Sequence, residues 1–138
     1  MNDIIVGVDE SDTARRAAET AAKLAKACGF NLHVVTCQQR GRTQEVGVGG
    51  DRWHIDPHAD AEMFLHDLVR SLGHDKFSTA VLTGDPATGM VNEAERLKAS
   101  MIVVGNRRVQ GMSRVLGSIA GDVLKHAPCD VLIANTTG

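Results

Sequence analysis

Residues 101–120 read MIVVGNRRVQGMSRVLGSIA. The apolar run at 101–104 is short and half β-branched, which is the pattern of a buried strand, and it stops at Gly105. A basic stretch containing a glycine, residues 106–114, follows. Gly117-Ser118 then opens an amphipathic segment over 119–126. A strand that feeds a loop that feeds a helix N-terminus is a place to hold an anion. The first-turn N–H groups and the helix dipole point into the loop together. Glycine lets backbone N–H groups approach without a Cβ in the way. Arg107, Arg108 and Arg114 add positive charge, so the stretch predicts a phosphate-bearing ligand.

Working outward, the remaining segments alternate in period. IIVGV within residues 3–8 predicts a strand ended by Asp9. Ser11 or Asp12 is the candidate N-cap of a helix over 13–28. In that helix Ala14, Ala17, Ala18, Ala21, Leu24, Ala25 and Cys28 recur at helical spacing, with Gly29 closing it. NLHVVTC at 31–37 is a second strand. The glycine-rich, charged stretch 38–56 keeps no apolar period and predicts a long loop. Pro57 or its neighbours start a helix over 58–72 with Met63, Leu65, Leu68, Val69 and Leu72 as its apolar members, and Gly73 ends it. FSTAVLT at 77–83 is a third strand ended by a Gly84-Asp85-Pro86 turn. A helix over 87–99 turns Met90, Val91, Ala94 and Leu97 inward. The fourth strand is 101–104, the fourth helix 118–126, and VLIAN at 131–135 is a fifth strand after Pro128. This βαβαβαβαβ order predicts right-handed crossovers and a parallel five-stranded sheet with helices on both faces. In such sheets ligands sit at strand carboxyl ends, where strand order reverses. Those ends fall at Asp9, Cys37, Gly84 and Gly105.

The totals bound the possibilities. A chain of 138 residues is the size of one domain, here 1–138. An apolar fraction of 43% supports a packed core. With three Phe, one Trp and no Tyr, that core is built from Ala, Val, Ile and Leu, and platforms for stacking nucleic-acid bases are nearly absent. A net charge of −2 also argues against nucleic acid as a partner. Cys28, Cys37 and Cys129 are odd in number and lack CxxC spacing, which predicts reduced, buried thiols. No signal-peptide pattern opens the chain and no apolar run spans a bilayer, so the expectation is a soluble cytoplasmic protein without a membrane partner.

Several of these stretches resemble the universal stress protein family. The likeness rests on the first strand with Asp9, the turn at Gly84–Pro86, and VVGN at 103–106, LGS at 116–118 and APCDVLI at 127–133. It follows the element order over essentially the whole chain. The resemblance implies a five-stranded parallel Rossmann-like α/β fold and a homodimer formed through the last strand, Val131 to Asn135. One branch of the family binds ATP through a glycine, two residues, a glycine, nine residues, then glycine and Ser or Thr. On this chain the first glycine is Gly105 and the closing pair is Gly117-Ser118. Arg108 occupies the second glycine's place, and the loop is one residue shorter. A Cβ there narrows the backbone path, whereas a guanidinium offers a charged fork to phosphate. The implied ligand-holding set is Val8, Asp9 near the ribose, the backbone around Cys37 near the adenine, Gly84, then Val104, Gly105, Asn106, Arg107 and Arg108, with Gly117, Ser118 and Ile119 at the helix start. The implied ligand is ATP or a related adenine nucleotide, AMP or cyclic AMP, with or without magnesium.

Other clusters read differently. His54, Asp56, His58, Asp60 and His66 lack HExxH or a cysteine partner, so they read as a solvated helix start rather than a metal site. Cys129 reads as a core thiol beside the last strand. Trp53 in the 38–56 stretch is a candidate cover for a ligand or a dimer partner. Ser118 has no base partner in sequence, so no catalytic set is expected, and stress response or signalling by binding is the leading reading. A family member that binds no nucleotide and works through protein contact is the alternative, favoured by Arg108. A small adenine-nucleotide enzyme comes third.

Overall fold

Ile4, Ile5 and Val6 are consecutive and apolar, so they project to both sides of a pleat. Only a strand covered on both faces buries all three. The computed structural model describes residues 2–9, 12–38, 44–46, 53–55, 57–106 and 117–135, without the side chains of 12, 13, 44–46, 53–55, 57 and 58. In it the chain runs β1 (Asp3–Gly7), α1 (Asp12–Cys28), β2 (Asn31–Gln38), β3 (Gln44–Val46), β4 (Trp53–Ile55), α2 (Pro57–Leu72), β5 (Phe77–Thr83), α3 (Pro86–Leu97), β6 (Met101–Gly105), α4 (Ser118–His126) and β7 (Asp130–Ala134).

Five strands form one parallel sheet in the order β5-β2-β1-β6-β7. The chain therefore builds outward from β1 in one direction, then crosses back to β6 and continues in the other. The switch lies between β1 and β6, where Ile4 pairs with Met101 and Val6 with Val103. Alternation along each strand divides the core. Ile4, Val6, Leu32, Val34 and Val103 pack under α1 and α2. Ile5, Val35, Ile102 and Val104 pack under α3 and α4. The α1 stripe of Ala14, Ala17, Ala18, Ala21 and Ala25 is buried as its spacing predicts. Its small side chains let the helix lie close to the sheet.

Four expectations change. The 38–56 stretch is not simply a loop. It carries an antiparallel hairpin pairing, with Gln44 opposite Ile55 and Val46 opposite Trp53. Strands of three residues are too short to show a period. Cys28 is exposed rather than buried, at the last turn of α1. Met63 is 65% exposed, because it stands two residues before Leu65 and so on the opposite side of α2. Asp12 begins α1, and Ser11 lies outside the described residues.

Local signals set the ends. Gly29 and Gly73 follow α1 and α2 at φ +70° and +64°, the left-handed conformation that a Cβ disfavours. Lys98 adopts the same region after α3, at φ 52° and ψ 49°, and its N–H reaches the carbonyls of Ala94 and Glu95. At the other end of α3, Pro86 opens the first turn. Asp85 caps it, accepting from the Thr88 N–H at 3.0 Å and the Thr88 hydroxyl at 2.9 Å.

Candidate functional site

The strand order places the carboxyl ends of β1 and β6 side by side at the point where it reverses, the position where open parallel sheets leave a crevice. A cavity of about 230 Å³ opens there. Its walls come from the β1 end (Gly7, Val8, Asp9), α1 (Ala14, Ala17), β2 (Val35, Cys37), α3 (Pro86, Met90), the β6 end (Val104, Gly105) and the start of α4 (Gly117, Ser118, Ile119, Ala120). Most of these side chains are apolar. The polar groups among them are the Asp9 carboxylate, the Cys37 thiol, the Ser118 hydroxyl and the backbone N–H groups at the start of α4.

Each wall has a local cause. Val8 continues past β1 with its N–H on the Val35 carbonyl at 2.8 Å, which fixes the turn into Asp9. Gly117 is the N-cap of α4, extended at φ −61° and ψ 154° and without a side chain to cap the helix. The first-turn N–H groups from Ser118 onward therefore face the cavity side with no intrahelical acceptor. The Gly121 N–H is the first to close back, on the Gly117 carbonyl at 2.9 Å. The helix dipole adds partial positive charge at the same place. On the far wall Met90, 3% exposed, lies against the backbone of Gly7. A Cβ built on Gly7 would stand 2.3 Å from the Met90 Sδ, so the thioether occupies the space a larger residue would take. Cys37 sits between β2 and α3, its Sγ 3.9 Å from the Pro86 carbonyl. Burial, reinforced by the Asp85 carboxylate, pushes its thiol up to about 11. The group is therefore a neutral wall at neutral pH, not a thiolate.

Of the residues predicted from sequence, Val8, Asp9, Cys37, Val104, Gly105, Gly117, Ser118 and Ile119 come together on this cavity. Gly84 and Asn106 stand outside its lining. Gly84, at φ +106°, gives its N–H to the Gln38 carbonyl at 2.7 Å and turns the chain into Asp85. Asn106 adds a rung beyond β6, with its N–H on the Ala134 carbonyl at 3.0 Å and its side-chain amide 3.4 Å from Asn135 Oδ1. Arg107, Arg108 and Arg114 lie outside the described residues, as do Asp56 and the side chains of Trp53, His54 and His58. Asp60 and His66 are exposed on α2. Cys129 is half-buried against the α3–α4 core, and burial raises its thiol.

Sequence reasoning missed Met90, Pro86, Val35 and Gly7 as walls. It also missed a polar network behind α3. His33 is 4% exposed in β2, on the α3 side of the sheet. Its Nε2 lies 2.7 Å from Glu93 Oε2 and its Nδ1 2.6 Å from Ser78 Oγ. Arg96 holds the same carboxylate from outside with two N–H bonds, at 2.6 and 3.0 Å. The Arg96 bonds, helped by His33, keep the Glu93 carboxyl below its ordinary 4.5.

Comparisons with known proteins agree with this geometry. The model of the universal stress protein family matches residues 1–135. A universal stress protein of Methanocaldococcus jannaschii is 31% identical over 94% of this chain and 79% of its own length. One of Mycobacterium tuberculosis is 29% identical over 97% of this chain and 96% of its own. Among solved structures, a universal stress protein in complex with cAMP superposes with a TM-score of 0.75 at 26% identity, covering 99% of this chain and 98% of that one. With a family match across nearly all of its length and solved structures of universal stress proteins that share its fold, the chain belongs to the universal stress protein family.

Proposed function

We propose that the cavity between β1 and β6 holds an adenine nucleotide, and that the protein works in stress response or signalling by binding it. The observation that carries this reading is the joining of an apolar slot to a helix N-terminus at the strand-order switch. The slot between Cys37, Met90 and Val35 suits a planar base. The first-turn N–H groups of α4 and the dipole behind them suit a phosphate. Asp9, at the β1 end, is placed to accept from a ribose hydroxyl. The related structure with cAMP supports the ligand class. ATP is the first candidate, with AMP and cyclic AMP beside it. Magnesium would bind through the phosphates rather than through a protein cage. Arg107, Arg108 and Arg114 are the cations of the stretch that joins Gly105 to Gly117. Among the described residues lining this cavity no nucleophile and base are paired, which supports a ligand that is held rather than turned over.

The reading includes a homodimer in the cytoplasm. β7 is a margin of the sheet, and Val131, Leu132 and Ile133 on it are only half-buried. Leu124 on the neighbouring α4 is 48% exposed. Together they form an apolar margin that a second copy would cover. No helix among the described residues is long and apolar enough to cross a membrane.

A second reading has one specific support. Arg108 stands in place of a phosphate-loop glycine, which fits a family member that binds no nucleotide and acts through protein contact. One experiment separates the two. The purified protein is denatured and its supernatant chromatographed for nucleotide, and its melting is followed with added ATP and magnesium, AMP or cyclic AMP. At a hundredfold excess over Kd, a specific ligand stabilises by about 2.7 kcal/mol. Asp9→Ala should remove that gain. No released nucleotide and no shift with any of the three would leave the protein-contact reading.

A further inference from the structure

The His33 network lies apart from the cavity and has the makings of a second site. Glu93 is ionised and offers only acceptors, so the His33 Nε2 facing it carries a proton. In the neutral imidazole Nδ1 is then the acceptor, and the Ser78 hydroxyl 2.6 Å away donates to it. Serine, imidazole and carboxylate are thereby arranged in line, with the base oriented by a buried anion that Arg96 holds in turn. The imidazole and Glu93 are buried, whereas Ser78 is exposed. Ser78 sits on β5, a sheet margin with no described strand on its outer side. Alternate N–H groups along such a margin face outward and are available to a developing oxyanion. A purely structural histidine needs a partner for each ring nitrogen, but it does not need that partner to be a reachable hydroxyl.

We propose that Ser78 is an activated serine that accepts an acyl group from activated carboxylic esters, with His33 as its general base and Glu93 as a positioning residue. In the step, Ser78 Oγ forms a bond to the ester carbonyl carbon. The bond from that carbon to the leaving oxygen breaks. The hydroxyl proton passes to His33 Nδ1 and from there to the departing oxygen, giving an acyl-serine and a free alcohol or phenol. The groups facing His33 are the Ser78 hydroxyl from β5, the Glu93 carboxylate from α3 with the Arg96 guanidinium behind it, and, from β1, Ile5 in register.

The test uses the full chain and p-nitrophenyl acetate. The protein should release p-nitrophenolate in a burst, and peptide mapping should find acetyl on Ser78. Ser71 is a built-in control, exposed like Ser78 but with its hydroxyl on the Leu68 carbonyl at 2.6 Å instead of on an imidazole. It should stay unmodified over the same time. Ser78→Ala should remove the adduct and lower the burst while the protein stays folded at the assay temperature, with a lower Tm because the buried His33 Nδ1 loses its donor. Glu93→Gln should slow acylation of Ser78 at least tenfold at neutral pH, in line with the contribution of general-base catalysis. The loss should fall on the acylation rate constant rather than on the p-nitrophenyl acetate concentration for half-saturation, and Glu93→Asp, which keeps the carboxylate, should recover part of it. A merely structural role for Glu93 would give Glu93→Gln and Glu93→Asp the same rate. Absence of acetyl at Ser78, acetylation of Ser71 at the same rate, or equal rates in folded Glu93→Gln and Glu93→Asp would overturn the assignment.

Discussion

Substituting Gly7 by alanine tests how the cavity's far wall is held. The new Cβ would stand 2.3 Å from the Met90 Sδ and 3.0 Å from its Cε. Non-bonded heavy atoms settle at about 3.5–4.0 Å, so the thioether has to retreat by more than about 1 Å. Met90 is 3% exposed, so its surroundings resist the move. Its three free torsions ease it. Overpacking costs about 1–3 kcal/mol in general, and a flexible neighbour puts this case at about 1–2 kcal/mol. For a chain of 138 residues, unfolding entropy of about 2.1 cal/mol/K per residue converts that cost to a Tm lower by about 3–7 °C. The decisive assay is a double-mutant cycle in urea. Met90→Ala alone should cost about 2–5 kcal/mol by leaving a void. In that background Gly7→Ala should cost less than about 0.5 kcal/mol, because nothing remains for the Cβ to strike. The coupling should therefore lie between about 0.5 and 2 kcal/mol. If the two changes add within about 0.5 kcal/mol, the contact between Met90 and Gly7 does not shape this wall, and the argument for a close-fitting base slot falls with it.

Three further outcomes follow from the described contacts. Glu93 is held below its ordinary 4.5, so its stabilising effect is complete above that pH and lost as pH falls through the lowered value; Glu93→Gln should flatten the acid limb of Tm against pH, and parallel limbs would refute the ion network. Lys98 pays for a left-handed backbone at φ 52°, so Lys98→Gly should raise stability by about 0.5–1 kcal/mol in chemical denaturation, and a loss would show that its side chain matters more than its backbone. Iodoacetamide at pH 8 should label exposed Cys28 well before Cys37, whose thiol stands at about 11, as mass mapping over time would show.

The five parallel strands were legible because each carries consecutive β-branched or aliphatic residues bounded by turn chemistry. Their spatial order was not, since register and neighbour choice depend on how whole faces fit. The hairpin of β3 and β4 escaped because three-residue strands of mixed polarity have no period to detect. At the candidate site, Gly105 and Gly117-Ser118 were visible as a strand–loop–helix junction, and Asp9 as a strand end. Met90 was visible only as a core residue. Its contact with Gly7 depends on the azimuth at which α3 settles, and each residue along a helix turns the direction by about 100°. The His33 network was invisible for a simpler reason. Its partners stand 45 and 60 residues downstream, and only the packing of α3 over β2 and β5 brings them together.

The two margins of the sheet differ, and the difference bears on how copies assemble. An open parallel sheet whose outer strands fitted each other would add molecule to molecule without end, because head-to-tail contacts that do not close make fibres. Here one flank, β7, is aliphatic along Val131, Leu132 and Ile133, while the other, β5, carries Ala80, Val81 and Leu82 in its middle but opens on the exposed Phe77 and Ser78 and closes on the exposed Thr83. Unlike flanks favour pairing of the greasy side with its own image across a twofold axis. In the dimer proposed above, such self-pairing would use up the sticky side in both molecules at once, so growth would end at two and fibre formation would have nowhere to start.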